Sequence, residues 1–232
     1  MSTQLNPPAG KLFPVYVYEA PVRIWHWVMS LCMVVLAVTG YLIGTPLGSV
    51  GGEASEHFLF GYIRFTHFAA AYIFAVMFLM RVFWAFVGNR FSREIFVVPL
   101  SMLNATWRQG FLSQLKYYLF LRRRAQPWQG HNPIAALAMF FFYVLGTVFM
   151  ICTGFALYGE GLGRESWAFK GFSSWVLPLL GYSQNVHTLH HLGMWFLIVF
   201  TIVHLYMAIR EDVMSGETMI STMLNGWRVA KK

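Results

Sequence analysis

The stretch from Leu189 to Ile209 reads LHHLGMWFLIVFTIVHLYMAI. It contains no Asp, Glu, Lys or Arg, and a helix of this length, at about 1.5 Å per residue, reaches across the roughly 30 Å of bilayer hydrocarbon. Three histidines, His190, His191 and His204, stand in an otherwise apolar run. Three more runs of the same kind lie upstream. Ile24–Ile43 carries His26. Ile63–Val87 carries Arg64 at its start, His67 soon after and Arg81 near its end. Ile134–Tyr158 carries no charge. The predicted fold is therefore all-α: a four-helix transmembrane bundle, one integral membrane domain over residues 1–232. The first run is too long for a signal-peptide core and no A-x-A site follows it, so it is read as a retained span. Trp107–Leu121 contains Arg108, Gln109, Gln114 and Lys116 and is predicted to lie in the interface as an amphipathic helix. Trp175–Tyr182 is too short to cross. No internal repeat or linker stands out, and the first dozen residues, with Pro7, Pro8 and Gly10, are expected to be loose.

Composition agrees with this reading. Of 232 residues, 57% are hydrophobic and only 11% charged, where a soluble domain has about 25% charged residues; mean hydropathy is +0.54. A soluble enzyme and a disordered chain are both excluded. The net charge of +8, from 17 basic and 9 acidic residues, does not point to nucleic acid, because no zinc-finger or RNP-like motif accompanies it. Basic residues gather in cytoplasmic loops of membrane proteins. Here Arg90, Arg93, Arg108, Lys116, Arg122, Arg123 and Arg124 lie between the second and third spans, and Arg210, Arg228, Lys231 and Lys232 follow the fourth. The other two loops hold Arg164 and Lys170 beside Glu53, Glu56, Glu160 and Glu165. Both termini are thus predicted to be cytoplasmic. The two cysteines, Cys32 and Cys152, lie in apolar runs, and without a CxxCH motif covalent heme attachment is excluded.

Ionisable residues inside spans mark function by default. By depth the histidines form two pairs, His67 with His190 toward the outer surface and His26 with His204 toward the cytoplasm. His190 and His204 are 14 residues apart, about 21 Å along a helix and only about 40° around it, so one helix points both rings into the same interior at two depths. His191 and His187 are turned further away, although either replaces His190 if the helix is irregular. Two imidazoles from facing helices at matched depth are what a bis-histidine heme needs, and the spacing suits two b hemes. Gly40 and Gly193 leave space for a flat macrocycle. Arg64 and Arg23 are placed to meet heme propionates, or else to snorkel to headgroups. A lone intramembrane histidine more often packs than ligates; it is the matched quartet that carries the reading. His57 and His131 lie in loops and default to solvated residues.

Seven segments resemble the b-type cytochrome subunit of membrane-bound, uptake-type nickel–iron hydrogenases: YEAPVRIWHW (Tyr18–Trp27), GYIRFTHF (Gly61–Phe68), RVFWAFVGNRFSREIF (Arg81–Phe96), GHNPIA (Gly130–Ala135), TGFALY (Thr153–Tyr158), LHHLGMW (Leu189–Trp195) and HLYMAIREDVMSGETMIS (His204–Ser221). The resemblance implies two b hemes held by His26, His67, His190 and His204 in a bacterial inner membrane. It implies a hydrogenase with a nickel–iron large subunit and an iron–sulfur small subunit on the outer face, meeting the loops Thr45–Tyr62 and Gly159–Val186. Electrons from hydrogen would enter at His67/His190, pass to His26/His204 and reduce a quinone near the cytoplasmic side. His131 and Asn132 are candidates to hydrogen-bond that quinone, while Asn132 before Pro133 equally reads as a helix start. The same hemes would serve a formate dehydrogenase or thiosulfate reductase anchor. A heme-free proton-coupled transporter is the reading from another class, and it would more often show broken helices and inverted symmetry.

Overall fold

Runs of twenty or more apolar residues can satisfy their backbone in lipid only as helices, and four such helices form. In the computed structural model, which describes residues 12–48, 58–123, 128, 130–215 and 218–231, α1 spans Ala20–Gly44 and α2 Leu59–Val87. The third span is α6 (Pro133–Ala138), a π-helical stretch (Met139–Leu145) and α7 (Gly146–Leu162) in succession. The fourth is α9 (Ser183–Ser215), the longest helix among the described residues. All four are long and apolar enough to cross a membrane. Phe86 is 81% exposed and Leu79 66%, surface that water would not tolerate on this scale and that lipid covers. The expected loose start lies outside the described residues up to Lys11, as does His57.

Between the second and third spans lie α3 (Arg90–Arg93), α4 (Val98–Ser101) and α5 (Ala105–Tyr118). Asparagines start α3, α5 and α6: Asn89 accepts from the Ser92 amide, Asn104 from the Thr106 amide and Asn132 from the Ala135 amide, each satisfying an amide that the first turn leaves open. The helix predicted at Trp107–Leu121 forms as α5 over Ala105–Tyr118. A second π-helical turn, Phe169–Ser173, leads into α8 (Ser174–Leu180), the stretch too short to cross.

The all-α expectation needs one correction. Leu12–Tyr16 (β1) pairs antiparallel with Trp227–Lys231 (β2), Tyr16 opposite Trp227, after the short helix α10 (Met219–Asn225). Each strand is five residues from a terminal segment, so neither has enough alternation to be read alone. Gly226 makes the turn between α10 and β2 at φ +87°, where a Cβ would come within 2.5 Å of the Tyr18 carbonyl oxygen; only glycine enters that conformation without strain.

Close contacts divide the chain into two compact units. One comprises residues 1–26, 81–141 and 202–232, the other 27–80 and 142–201. The long helices contribute segments to both, so neither unit is a continuous stretch of sequence. The first holds the strand pair, α3 to α6 and α10. The second is centred on Ala156, Val176 and Val186, with Ser173 donating to the Ala156 carbonyl at 2.6 Å.

Candidate heme and quinone sites

In the first unit, His26 of α1 and His204 of α9 face each other with ring centroids 6.4 Å apart and planes at 53°. This spacing can be compared with an iron held between them. A metal–imidazole bond is about 2 Å, and a ring nitrogen sits about 1.1 Å from its ring centre when ring bonds are about 1.33 Å. Two imidazoles on one iron therefore have centroids a little over 6 Å apart. The 53° angle is no obstacle, since rotation about a metal–nitrogen bond leaves coordination intact. The ring separation is thus that of two imidazoles sharing one iron.

In the second unit, His67 of α2 and His190 of α9 are each held by a threonine hydroxyl. The Thr39 hydroxyl lies 2.9 Å from His67 Nδ1, and the Thr153 hydroxyl 2.7 Å from His190 Nδ1. Nδ1 is thus engaged in both rings, which leaves Nε2 as the edge for a metal. His67 lies within electrostatic range of His190. The neighbouring His191 is occupied otherwise: its Nε2 accepts from the Trp195 indole at 3.2 Å, and its ring lies so close to Gly44 that a Cβ there would stand 2.9 Å away. His187 is also in electrostatic range of His190, but no hydrogen bond orients its ring among the described residues.

The glycines divide in role. A Cβ on Gly40 would meet the His67 ring at 3.3 Å and one on Gly154 the His190 ring at 3.2 Å, so both glycines make room for imidazoles. Gly193 instead lets α9 close on α7, where a Cβ would lie 2.6 Å from the Met150 sulfur. With Gly146 it borders an apolar groove of about 310 Å³.

The arginines also differ. Arg23 donates from Nη1 to the Leu224 carbonyl, and its buried Nε has no protein hydrogen-bond partner among the described residues, a donor left for an anionic group. Arg64 is exposed and lies over the Phe68 ring at 5.9 Å. Sequence reasoning assigned no role to Arg81. It is buried, held between the Trp25 and Phe96 rings at 5.1 and 5.0 Å, and it donates to the Ser92 carbonyl at 2.5 Å. It fixes a positive charge beside the residue that precedes His26.

His131 is tied down rather than solvated. Its Nδ1 lies 3.2 Å from a Glu94 carboxylate oxygen, which also accepts the His131 backbone N–H at 2.9 Å. The Tyr18 hydroxyl is 3.4 Å from the same Nδ1. Because a carboxylate only accepts, the shorter contact places the proton on Nδ1 and leaves the lone pair on Nε2. Burial first, and then the Glu94 charge, push the Tyr18 hydroxyl above its usual range, so it stays protonated. Asn132 is largely committed: Oδ1 caps α6, and Nδ2 reaches the Tyr118 hydroxyl at 3.4 Å. Both His26 and His204 lie within electrostatic range of His131. Glu94, Tyr18, Thr39 and Thr153 all escaped the reading of the sequence. The signal for the threonines was there, as a Thr-Gly-aromatic triplet in the first span (Thr39–Tyr41) and again in the third (Thr153–Phe155).

Residues 17–226 match the family model described as prokaryotic cytochrome b561. The chain belongs to the prokaryotic cytochrome b561 family. That family implies a b-type heme, in keeping with paired imidazoles inside apolar helices. Three relatives show how near the likeness is. The chain is 57% identical over 217 residues to a probable Ni/Fe-hydrogenase B-type cytochrome subunit of Azotobacter vinelandii, covering 94% of this chain and 89% of the relative. A protein of the same description from Cupriavidus necator is 57% identical over 216 residues, 93% of this chain and 87% of the relative. The probable Ni/Fe-hydrogenase 1 B-type cytochrome subunit of Escherichia coli K12 is 52% identical over 217 residues, 93% and 91% of the two chains. As a cytochrome b561 family member with four apolar helices, the chain is an integral membrane protein.

Proposed function

We propose that the chain is the diheme b-type cytochrome subunit of a membrane-bound nickel–iron hydrogenase, a single membrane domain that passes electrons from the iron–sulfur small subunit to the quinone pool of a bacterial inner membrane. The observation that carries this reading is the His26–His204 pair, whose 6.4 Å ring separation suits one iron. The description printed for the relatives supports the hydrogenase as partner. A b heme bound at such a pair supplies reversible one-electron exchange at iron.

The chain's own residues have separable tasks in this scheme. His26 with His204, and His67 with His190, hold the two irons. Arg23 and Arg64 meet propionates. The basic loop and tail keep both termini cytoplasmic, which puts His67 and His190 on the outer side. There the loops Thr45–Tyr62 and Gly159–Val186 meet the small subunit, which carries the large subunit with it; residues 49–57 of the first loop lie outside those described. On the cytoplasmic side His131 faces the quinone. With Nδ1–H donated to Glu94, the Nε2 edge of His131 relays a proton to a quinone oxygen. Two electrons from hydrogen and two protons from the cytoplasm complete a hydroquinone. Asn132 supports this site mainly by starting α6.

The direct test is a pyridine-hemochrome assay on the purified complex. Two b hemes per chain are expected, reduced on addition of hydrogen and reoxidised by added quinone. A colourless chain, or one heme per chain, overturns the reading. A narrower expectation concerns His131→Gln. Quinone turnover should fall about 10²-fold or more, the usual worth of a positioned proton donor, while the heme spectrum stays unchanged. Full turnover in that variant removes His131 from the site.

A further inference from the structure

Thr39 and Thr153 do the same thing from different helices. Thr39 is 8% exposed and Thr153 1%. Each hydroxyl donates to the carbonyl four residues back: Thr39 to Val35 at 2.6 Å and Thr153 to Phe149 at 2.8 Å. A hydroxyl has a single proton and two lone pairs. A carbonyl oxygen only accepts, so the proton is spent there and a lone pair faces the imidazole. The bonds at 2.9 Å to His67 and 2.7 Å to His190 must then run from Nδ1–H to Oγ1. A neutral imidazole with its proton on Nδ1 carries its lone pair on Nε2. Both rings are thus locked in the tautomer that binds iron through Nε2. The residue after each threonine is glycine, and each glycine lies against the Cε1 of the same ring. The Thr-Gly pair grips a ring and clears space for it, once from α1 and once from α7.

We infer that Thr39 and Thr153 are positioning residues that set the redox poise of the iron held by His67 and His190. The inference rests on the reading of these two histidines as ligands of one heme. An N–H donated to an acceptor makes the other ring nitrogen more basic. A more basic ligand favours the ferric form and lowers the potential. The acceptor here is a hydroxyl that is itself donating, which polarises it further. Two such bonds, one on each imidazole, would act on the same iron.

The test uses the purified hydrogenase–cytochrome complex, with valine and serine at each position. Valine keeps the shape of threonine without the hydroxyl, and serine keeps the hydroxyl. Thr39→Val and Thr153→Val are each expected to raise the midpoint potential of one heme in an optical redox titration. It is the same heme in both variants, and the other heme does not move. The low-spin ferric EPR signal of that heme shifts with it, heme retention at that site drops about tenfold, and the serine variants restore all three. Valine variants with full heme, unmoved potential and an unmoved EPR signal would show that the threonines only fill space. Loss of the heme in the serine variants as well would equally overturn a role for the hydroxyls. If instead the two valine variants move different hemes, or the unaltered complex has no low-spin bis-imidazole signal, it is the ligand pairing that fails.

Discussion

His67→Ala is expected to abolish hydrogen-driven quinone reduction while the hydrogenase still reduces an artificial dye at its full rate. On the proposed ligand pairing the variant lacks one of two imidazoles for its iron, and it leaves the Thr39 hydroxyl without its ring partner. With a single axial ligand the b heme is not retained, since no covalent attachment backs it up; the chain has no CxxCH. Heme content should drop from two per chain to one. Dye reduction survives because it draws electrons from the hydrogenase dimer without this subunit. A variant that keeps two hemes and full quinone turnover would show that His67 is no ligand.

The complementary substitution, His204→Ala, separates the order of the two sites. It removes one side of the 6.4 Å ring pair in the first unit and should cost that heme alone. Hydrogen then still reduces the remaining b heme, seen as about half the normal absorbance change, yet quinone turnover falls to background. In His67→Ala the remaining heme should stay oxidised under hydrogen, because nothing connects it to the donor. If the two variants behave the other way round, the donor docks at the His26–His204 end and the orientation drawn from the basic loops is inverted.

The spans were legible because hydrocarbon admits nothing else. Ile134–Tyr158 is read from apolarity, and the helical span there runs Pro133–Leu162. The fourth helix begins at Ser183, six residues before the apolar run. Ser183, Gln184, Asn185 and His187 are content in a helix that extends beyond lipid, and a hydropathy pattern registers only the part inside it. The π-helical stretch Met139–Leu145 left no mark in MFFFYVL, since a hydrogen bond that spans one more residue changes no composition.

The site divides along a similar line. Histidines in lipid-crossing runs announce themselves by cost. Threonines do not, because a span accommodates Thr by the bond to its own helix, and Thr39 and Thr153 make that ordinary bond as well as the special one. Only their facing separates the two roles. Glu94 and His131 are neither rare nor deep, and they lie in segments remote from one another in the sequence. Their contact is created by folding, so only coordinates reveal it.

The pairing of Leu12–Tyr16 with Trp227–Lys231 has a bearing on biosynthesis. During translation the first strand emerges long before the second, and until then its backbone edge is open to other partners. The strand that closes this edge is made after all four histidines of the quartet. A chain cut short between His204 and Trp227 would hold all four of these histidines and leave the β1 edge unpaired.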